Sequence, residues 1–176
     1  MPSPTTPDRA TVASQQASPV DTMEDSESHS LRGAIDAGAL HDFRSEFQRL
    51  EPLASGSLDD PVTPSEVRLQ LDDGIGTATS ATITVRWSVQ GDYNAHYSDD
   101  TDRDCRWDIH PHDYTTPNGD GHYHPPPDAS SDDAAVEATC IEVTELILVA
   151  RTIHQLWRAG YDSGTVTPLN NATNPP

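Results

Sequence analysis

Four of the eight histidines of this 176-residue chain lie within fifteen residues of one another, in the stretch CRWDIHPHDYTTPNGDGHYHPPP at 105–127. Imidazole takes up or releases a proton near neutral pH and is a common metal ligand. The side chains here that could bind a metal or move a proton are Asp108, His110, His112, His122 and His124. Arg106 stands just before them, and arginine binds phosphate through a fork of N–H donors. The stretch is therefore the first candidate for a functional site.

This concentration of imidazoles has three interpretations. On the first, the histidines are surface residues of a solvated sheet. On the second, a His-x-His pair and a nearby carboxylate bind a divalent metal, for which imidazole is a suitable ligand. The ligands would then be His122, His124, His112 and Asp108. On the third, no cofactor is needed, because one histidine takes a proton while another donates one and arginine stabilises charge on phosphorus. Those groups could cleave RNA by attack of its own 2′-hydroxyl.

Strands are needed to bring these side chains to one surface. Apolar and polar residues alternate along 67–71, 83–89, 93–97 and 105–109, which predicts at least four consecutive antiparallel strands. Residues two apart in a strand share a face. We expect one open face of the sheet to carry Arg86, His96, Arg106, Asp108, His110, His122 and His124.

Two helices are expected to cover the other, apolar face of the sheet. Apolar residues at three- and four-residue intervals predict one helix within 34–50 and one within 138–160. Gly160 suits the C-terminal cap of the second helix. The predicted fold class is α+β, an antiparallel β-meander of four or more strands with an N-terminal and a C-terminal helix packed on one face.

The composition indicates the salt concentration in which the protein works rather than its function. The formal charge is -19, and all ten basic residues are arginines, with no lysine. The acidic residues are spread along the chain, which is typical of proteins from salt-loving archaea, where molar salt screens self-repulsion. On this interpretation the net charge does not exclude a nucleic acid as substrate.

Changes in composition predict the domain organisation. Residues 1–30 are expected to be a disordered tail, 31–162 a single α+β domain, and 163–176 a second disordered tail. There is no apolar stretch long enough to span a membrane and no signal-peptide pattern, so we expect a cytoplasmic protein with no membrane partner. Cys105 and Cys140 are not a Cys-x-x-Cys pair, which leaves two free thiols or one disulfide.

Three short motifs in a particular order resemble the TumE family, whose members are toxins of toxin–antitoxin pairs. The motifs are Arg-Trp-Asp at 106–108, Pro-His at 111–112 and His-Tyr-His at 122–124. The resemblance implies an antitoxin protein as partner. It also implies a functional set consisting of Arg106, Asp108, His112, His122 and His124. The sequence departs from the family pattern at Ile109, where the family has asparagine, and His110 is additional.

We therefore expect a toxin-like protein that acts on RNA by histidine acid–base catalysis with arginine support, as a candidate endoribonuclease. It would contact DNA only through its antitoxin. The expected catalytic residues are Arg106, Asp108, His110, His112, His122 and His124. Arg86 and His96 would bind the substrate. Two alternatives remain open: a non-catalytic metal-binding or regulatory module that uses the histidines, and an interaction protein whose partner covers the sheet.

Overall fold

One antiparallel sheet and two α-helices make up the fold in the computed structural model, which describes residue 1 and residues 30–171. The helices are α1 (Ala37–Leu50) and α2 (Leu146–Ser163). The strands are β1 (Ala54–Leu58), β2 (Val67–Leu71), β3 (Ala81–Trp87), β4 (Tyr93–Asp99), β5 (Asp104–Ile109), β6 (Gly121–His124) and β7 (Glu137–Ala138). They follow one another across the sheet in chain order. The tail predicted for 1–30 lies almost wholly outside the described residues.

The sheet face that packs against the helices is apolar, as the alternation predicted. Leu69 of β2 pairs with Ile83 of β3, and Ile83 pairs with Tyr97 of β4, and all three side chains are buried. Phe43 and Phe47 of α1 are completely buried in the same core. The predicted α+β class, with both helices on one face of an antiparallel meander, is confirmed.

The second helix begins and ends later than predicted. It starts at Leu146, because residues 137–138 form β7 and pair with β6, and the segment after them is rich in β-branched residues, which favour extended structure. It ends at Ser163, where Gly164 adopts the left-handed conformation with φ +69°. Gly160 is instead buried inside the helix, where an added Cβ would lie 3.0 Å from Ile75 Cδ1. The prediction that Gly160 caps the helix was wrong, and this glycine allows close packing.

Strand β1 was not predicted, because its sequence, ASGSL, contains no β-branched or aromatic residue. It forms because it pairs along its whole length with β2. Gly56 at its centre lies close to α1, since an added Cβ would lie 2.5 Å from Arg44 Cγ and would force that side chain to move. The close approach of helix and strand explains a residue that would otherwise weaken a strand.

The segment after α2, expected to be a loose tail from residue 163, packs onto the sheet as far as the structure describes it. A 3-10 helix, Thr167–Asn170, places the side chain of Leu169 in the core with no exposed surface. Trp107 Nε1 donates a hydrogen bond to the Leu169 carbonyl at 2.8 Å. A single leucine in a polar stretch has no periodicity, so sequence patterning could not reveal this contact.

Cys105 and Cys140 do not form a disulfide bond with each other. Burial raises the pKa of the Cys105 thiol to about 12, so this side chain is not a nucleophile at neutral pH. Among the described residues, no helix is long and apolar enough to cross a membrane.

An ion pair between the two helices leads to a pH-dependent prediction. Glu46 Oε1 of α1 accepts hydrogen bonds from Arg49 at 2.7 Å and from Arg151 of α2 at 2.6 Å, and the pKa of Glu46 falls to about 2. Because a lowered carboxyl pKa stabilises the fold fully above the unfolded-state pKa, this contribution is complete at neutral pH and is lost as the pH falls through the folded-state pKa of about 2. We expect Glu46→Gln to lower the melting temperature at pH 7, and the difference from wild type to shrink below about pH 4.5. Thermal unfolding followed by circular dichroism tests this.

The matched control is Glu142→Gln, which removes an exposed carboxylate outside the helices and should leave the melting temperature unchanged. A difference between Glu46→Gln and wild type that stayed constant from pH 7 to the acid limit of folding would contradict the ion-pair explanation.

Candidate functional site

The register of the last strands brings the predicted site residues together. Arg106 of β5 lies opposite His124 of β6, and Asp108 lies opposite His122. All four side chains project from the sheet face away from the helices, because they alternate with Trp107 and its apolar neighbours. The register of β5 and β6 therefore brings four of the predicted side chains to one face of the sheet, and their catalytic roles remain predictions.

Asp108 lies at the centre of the cluster. Its Oδ2 is 2.7 Å from Arg106 Nε. The same oxygen lies near the Nε2 atoms of three imidazoles, at 3.3 Å from His124, 3.5 Å from His122 and 3.7 Å from His110. The other oxygen, Oδ1, accepts a hydrogen bond from Asn94 Nδ2 at 2.7 Å. One carboxylate is thus surrounded by one guanidinium, one amide and three imidazoles.

Backbone carbonyls fix the orientation of these three imidazoles. Each ring donates its Nδ1–H to a carbonyl, so each Nε2 points towards the carboxylate. The donor and acceptor pairs are His110 to Pro111 at 2.9 Å, His122 to Asp120 at 3.0 Å, and His124 to Ser130 at 2.8 Å. The Nε2 atom of His124 also accepts a hydrogen bond from Arg106 Nη2 at 2.9 Å. Nδ1 is therefore the atom that donates to the backbone in all three rings, and each Nε2 faces Asp108.

The loop 110–120 and the segment that follows β6 cover this end of the polar face, which the sequence predicts to be open. The side chains of Asp108, His122 and His124 have no exposed surface. The loop 110–120 lays the Tyr114 ring against His122 and His124, with ring centroids 5.3 and 5.7 Å away. Water is therefore largely excluded from the cluster, which strengthens the electrostatic interactions inside it.

The covering loop is also tied to the segment that follows β6. Thr115 donates from its backbone N–H and from its hydroxyl to the carboxylate of Asp133, both at 2.7 Å. Arg32, which precedes α1, bonds Asp92 and Asp120 at the base of the loop. Contacts between distant parts of the chain therefore hold the cover in place.

His112 lies in a different place from the other predicted site histidines. Its Nε2–H donates to the Gly119 carbonyl at 2.7 Å, and its Nδ1 accepts from the Tyr114 N–H at 3.1 Å. Its ring packs against His122 with centroids 4.4 Å apart. Both ring nitrogens of His112 form hydrogen bonds within the loop 110–120. His112 therefore stabilises this loop and does not face Asp108. His110 takes the position beside the carboxylate.

The surroundings push the pKa values of the clustered groups apart. Burial favours the neutral form of Asp108, but His110, His124 and Arg106 together keep the pKa of its carboxyl well below the usual value. Burial lowers the pKa of His122 to about 3, so this ring is neutral at pH 7. Burial also acts on His110, but its contacts with Asp108 and the Pro111 carbonyl outweigh burial and raise its pKa. Neighbouring imidazoles thus differ in their readiness to hold a proton.

The two residues expected to bind substrate lie beside the cluster rather than in it. Arg86 of β3 is exposed and shares a register row with Asn94 and Asp108. His96 of β4 lies opposite Arg106, with its Nε2 2.9 Å from Asp104 Oδ1, and burial lowers its pKa. Side-chain exposure falls along one row, from 39% at His96 to 14% at Arg106 and 0% at His124. Solvent exposure in this row therefore decreases from β4 towards β6.

Sequence reasoning missed two residues of the site. Asn94 precedes His96 by two residues in β4, so the period-2 pattern already placed it on the polar face, but its amide was not recognised as a partner for a carboxylate. Tyr114 lies in an irregular loop with no periodic pattern, and only the folded structure reveals its contact with the imidazoles.

Part of the cluster could hold a metal ion. Donor atoms of Asp108, His122 and His124 all lie within 4.8 Å of one another. The Nε2 of His122 has no hydrogen-bond partner among the described residues, although its ring is completely buried. This set differs from the predicted ligands in omitting His112. An ion bound here would compete with the Arg106 guanidinium for Asp108 Oδ2.

The fold and the cluster together define an α+β protein in which an antiparallel sheet carries a covered carboxylate, imidazole and guanidinium site. The family model described as Toxin TumE matches residues 42–159, which include all the strands and the cluster. The chain belongs to the TumE toxin family. No curated protein and no solved structure matches it.

Proposed function

We propose that this protein is the toxin of a toxin–antitoxin pair and acts on RNA by acid–base catalysis at the Asp108 cluster. Membership of the toxin family supports the toxin role and implies an antitoxin partner. The observation that carries the catalytic part is the convergence of three Nε2 atoms and one guanidinium on a single water-excluded carboxylate.

The groups of the cluster suit cleavage of RNA by its own 2′-hydroxyl. His122, which is neutral, would take the proton of the 2′-hydroxyl while the oxygen attacks phosphorus. The bond from phosphorus to the 5′-oxygen breaks, and His110 would donate a proton to that leaving oxygen. Arg106 would stabilise the negative charge on the phosphoryl oxygens. Asp108 would hold the rings and the guanidinium in position.

The phosphate would reach the cluster from β4, past His96 and Arg106, because exposure decreases in that direction. Arg86 would bind a neighbouring phosphate. DNA binding would belong to the antitoxin. We expect this activity in the cytoplasm of a salt-loving archaeon, and the acidic chain to need high salt for folding.

A second candidate function is that of a metal-binding regulatory module. It is favoured by the buried, unbonded Nε2 of His122 beside Asp108 and His124. Metal analysis of the purified protein distinguishes the two. One divalent ion per chain, lost in His122→Ala, supports the module, whereas cleavage that persists in a chelator supports the metal-free mechanism.

The decisive test is growth of cells that express the chain without its antitoxin. We expect His122→Ala and His124→Ala to abolish growth arrest, because each removes a ring that converges on Asp108. Growth curves and the integrity of total RNA are the measurements, in cells with internal salt high enough for folding.

The control is His41→Ala, which removes an exposed imidazole from α1 and should leave growth arrest intact. Circular dichroism must show each variant folded. Folded His122→Ala and His124→Ala variants that still arrest growth would overturn the catalytic proposal and favour an interaction protein whose partner covers the sheet.

A further inference from the structure

The polar face of the sheet has a different charge balance from the rest of the chain. Its charged strand residues are Arg68, Arg86, Arg106, Asp104 and Asp108. These strand residues sum to +1, and Glu66, which lies just before β2 and pairs with Arg68, brings the local sum to zero, whereas the whole chain carries -19. The remaining positions on β1–β4 are Ser, Thr, Asn and Gln apart from His96. These side chains commonly contact the phosphates and sugars of nucleic acids.

Six side chains of this face stand in one continuous register row across the sheet. In order from β1 to β6 they are Ser57, Arg68, Thr84, His96, Arg106 and His124. With neighbouring strands about 4.8 Å apart, the row is about 24 Å long. It runs from the exposed strands to the buried cluster, so it forms a straight path to the candidate site.

Two arginines on the exposed part of the face can bind anions. Arg86 is exposed and has no ion pair or hydrogen bond with the described part of the chain, although that chain is rich in carboxylates. Arg68 contacts Glu66 at 2.6 Å, yet 63% of its side chain is exposed. A guanidinium has five N–H donors, so this pairing leaves donors for a phosphate.

We propose that the polar face over β2–β5, along the row from Arg68 to Arg106, binds single-stranded RNA and leads it into the Asp108 cluster. This inference rests on the proposed action on RNA and names the surface that holds the substrate. Among the described residues, the strand positions on this face of β1–β5 carry no Phe, Tyr or Trp on which bases could stack, so the backbone is the part that is recognised. Binding is therefore tolerant of sequence and sensitive to salt.

A single strand fits this surface better than a duplex. The row ends at the covered His124, so the ligand must bend from an open surface into an enclosed site. A single strand can follow this path, and the 2′-hydroxyl of a flexible strand can align with the phosphorus that it attacks. A stiff A-form duplex cannot follow it.

Fluorescence anisotropy with a labelled single strand of about ten 2′-O-methyl nucleotides tests the proposal, since this length matches typical single-strand sites. The methyl group blocks the 2′-oxygen, so binding is measured independently of cleavage. We expect Arg68→Ala to weaken binding of every sequence tested and to reduce the slope of log affinity against log salt by about 1.

The matched control is Arg49→Ala, because Arg49 of α1 is also exposed and also paired with a nearby glutamate, but lies on the helical layer. It should bind like wild type. Arg68→Ala that behaves like Arg49→Ala, equal affinity for a duplex, or no binding by the wild type would overturn the proposed surface. Binding that depends on Arg68 without cleavage of unmodified RNA supports the surface and refutes only the catalytic proposal.

Discussion

Asp108→Asn is expected to lower the free energy of unfolding by about 3–5 kcal/mol, the usual cost of removing one partner of a buried ion pair. The substitution keeps the shape of the side chain but removes its charge. Arg106, which is only 14% exposed, then loses its carboxylate partner, and the three Nε2 atoms lose the group on which they converge. Urea unfolding at constant high salt measures the loss. Growth arrest should disappear as well.

The control for Asp108→Asn is Asp104→Asn in the same strand. Asp104 lies on the same face but is partly exposed, and its contact is with His96. A partly exposed pair of this kind contributes about 1 kcal/mol or less. Asp108→Asn that unfolds at the same urea concentration as Asp104→Asn would contradict the central position of Asp108 in the cluster.

Leu169→Ala is expected to destabilise the protein by about 2–5 kcal/mol, as other large-to-small changes in cores do. Leu169 is fully buried although it lies beyond the last α-helix, and its carbonyl accepts the Trp107 indole N–H. The cavity would lie behind β5, the strand that carries Asp108. The loss should therefore appear in urea unfolding and in a reduced capacity to arrest growth.

The neighbouring Thr167→Ala serves as control, since Thr167 is exposed in the same 3-10 helix. It should change the stability by no more than about 0.5 kcal/mol. If Leu169→Ala were as stable as Thr167→Ala, the segment after α2 would not be part of the core.

Sequence patterning predicted the strands whose apolar and polar residues alternate and missed a strand without that alternation. Val67 to Leu71 alternate strictly, and β2 lies where this alternation predicted it. β1 has no such pattern and was missed, because pairing with β2 and the contact of Gly56 with α1 stabilise it. The start of α2 was placed too early. The predicted helix began at residue 138, which belongs to β7, whereas α2 begins at Leu146.

The amino-acid order alone was enough to place Arg106, Asp108, His122 and His124 on one side of a sheet, because the two-residue period of a strand is a local property. It could not tell which Nε2 atoms meet the carboxylate, since Pro111, Asp120 and Ser130 supply the carbonyls that orient the rings. Nor could it show that His110 rather than His112 faces Asp108, or that loops exclude water there. Those features depend on contacts between residues far apart in the chain, such as Thr115 with Asp133, and such contacts exist only after folding.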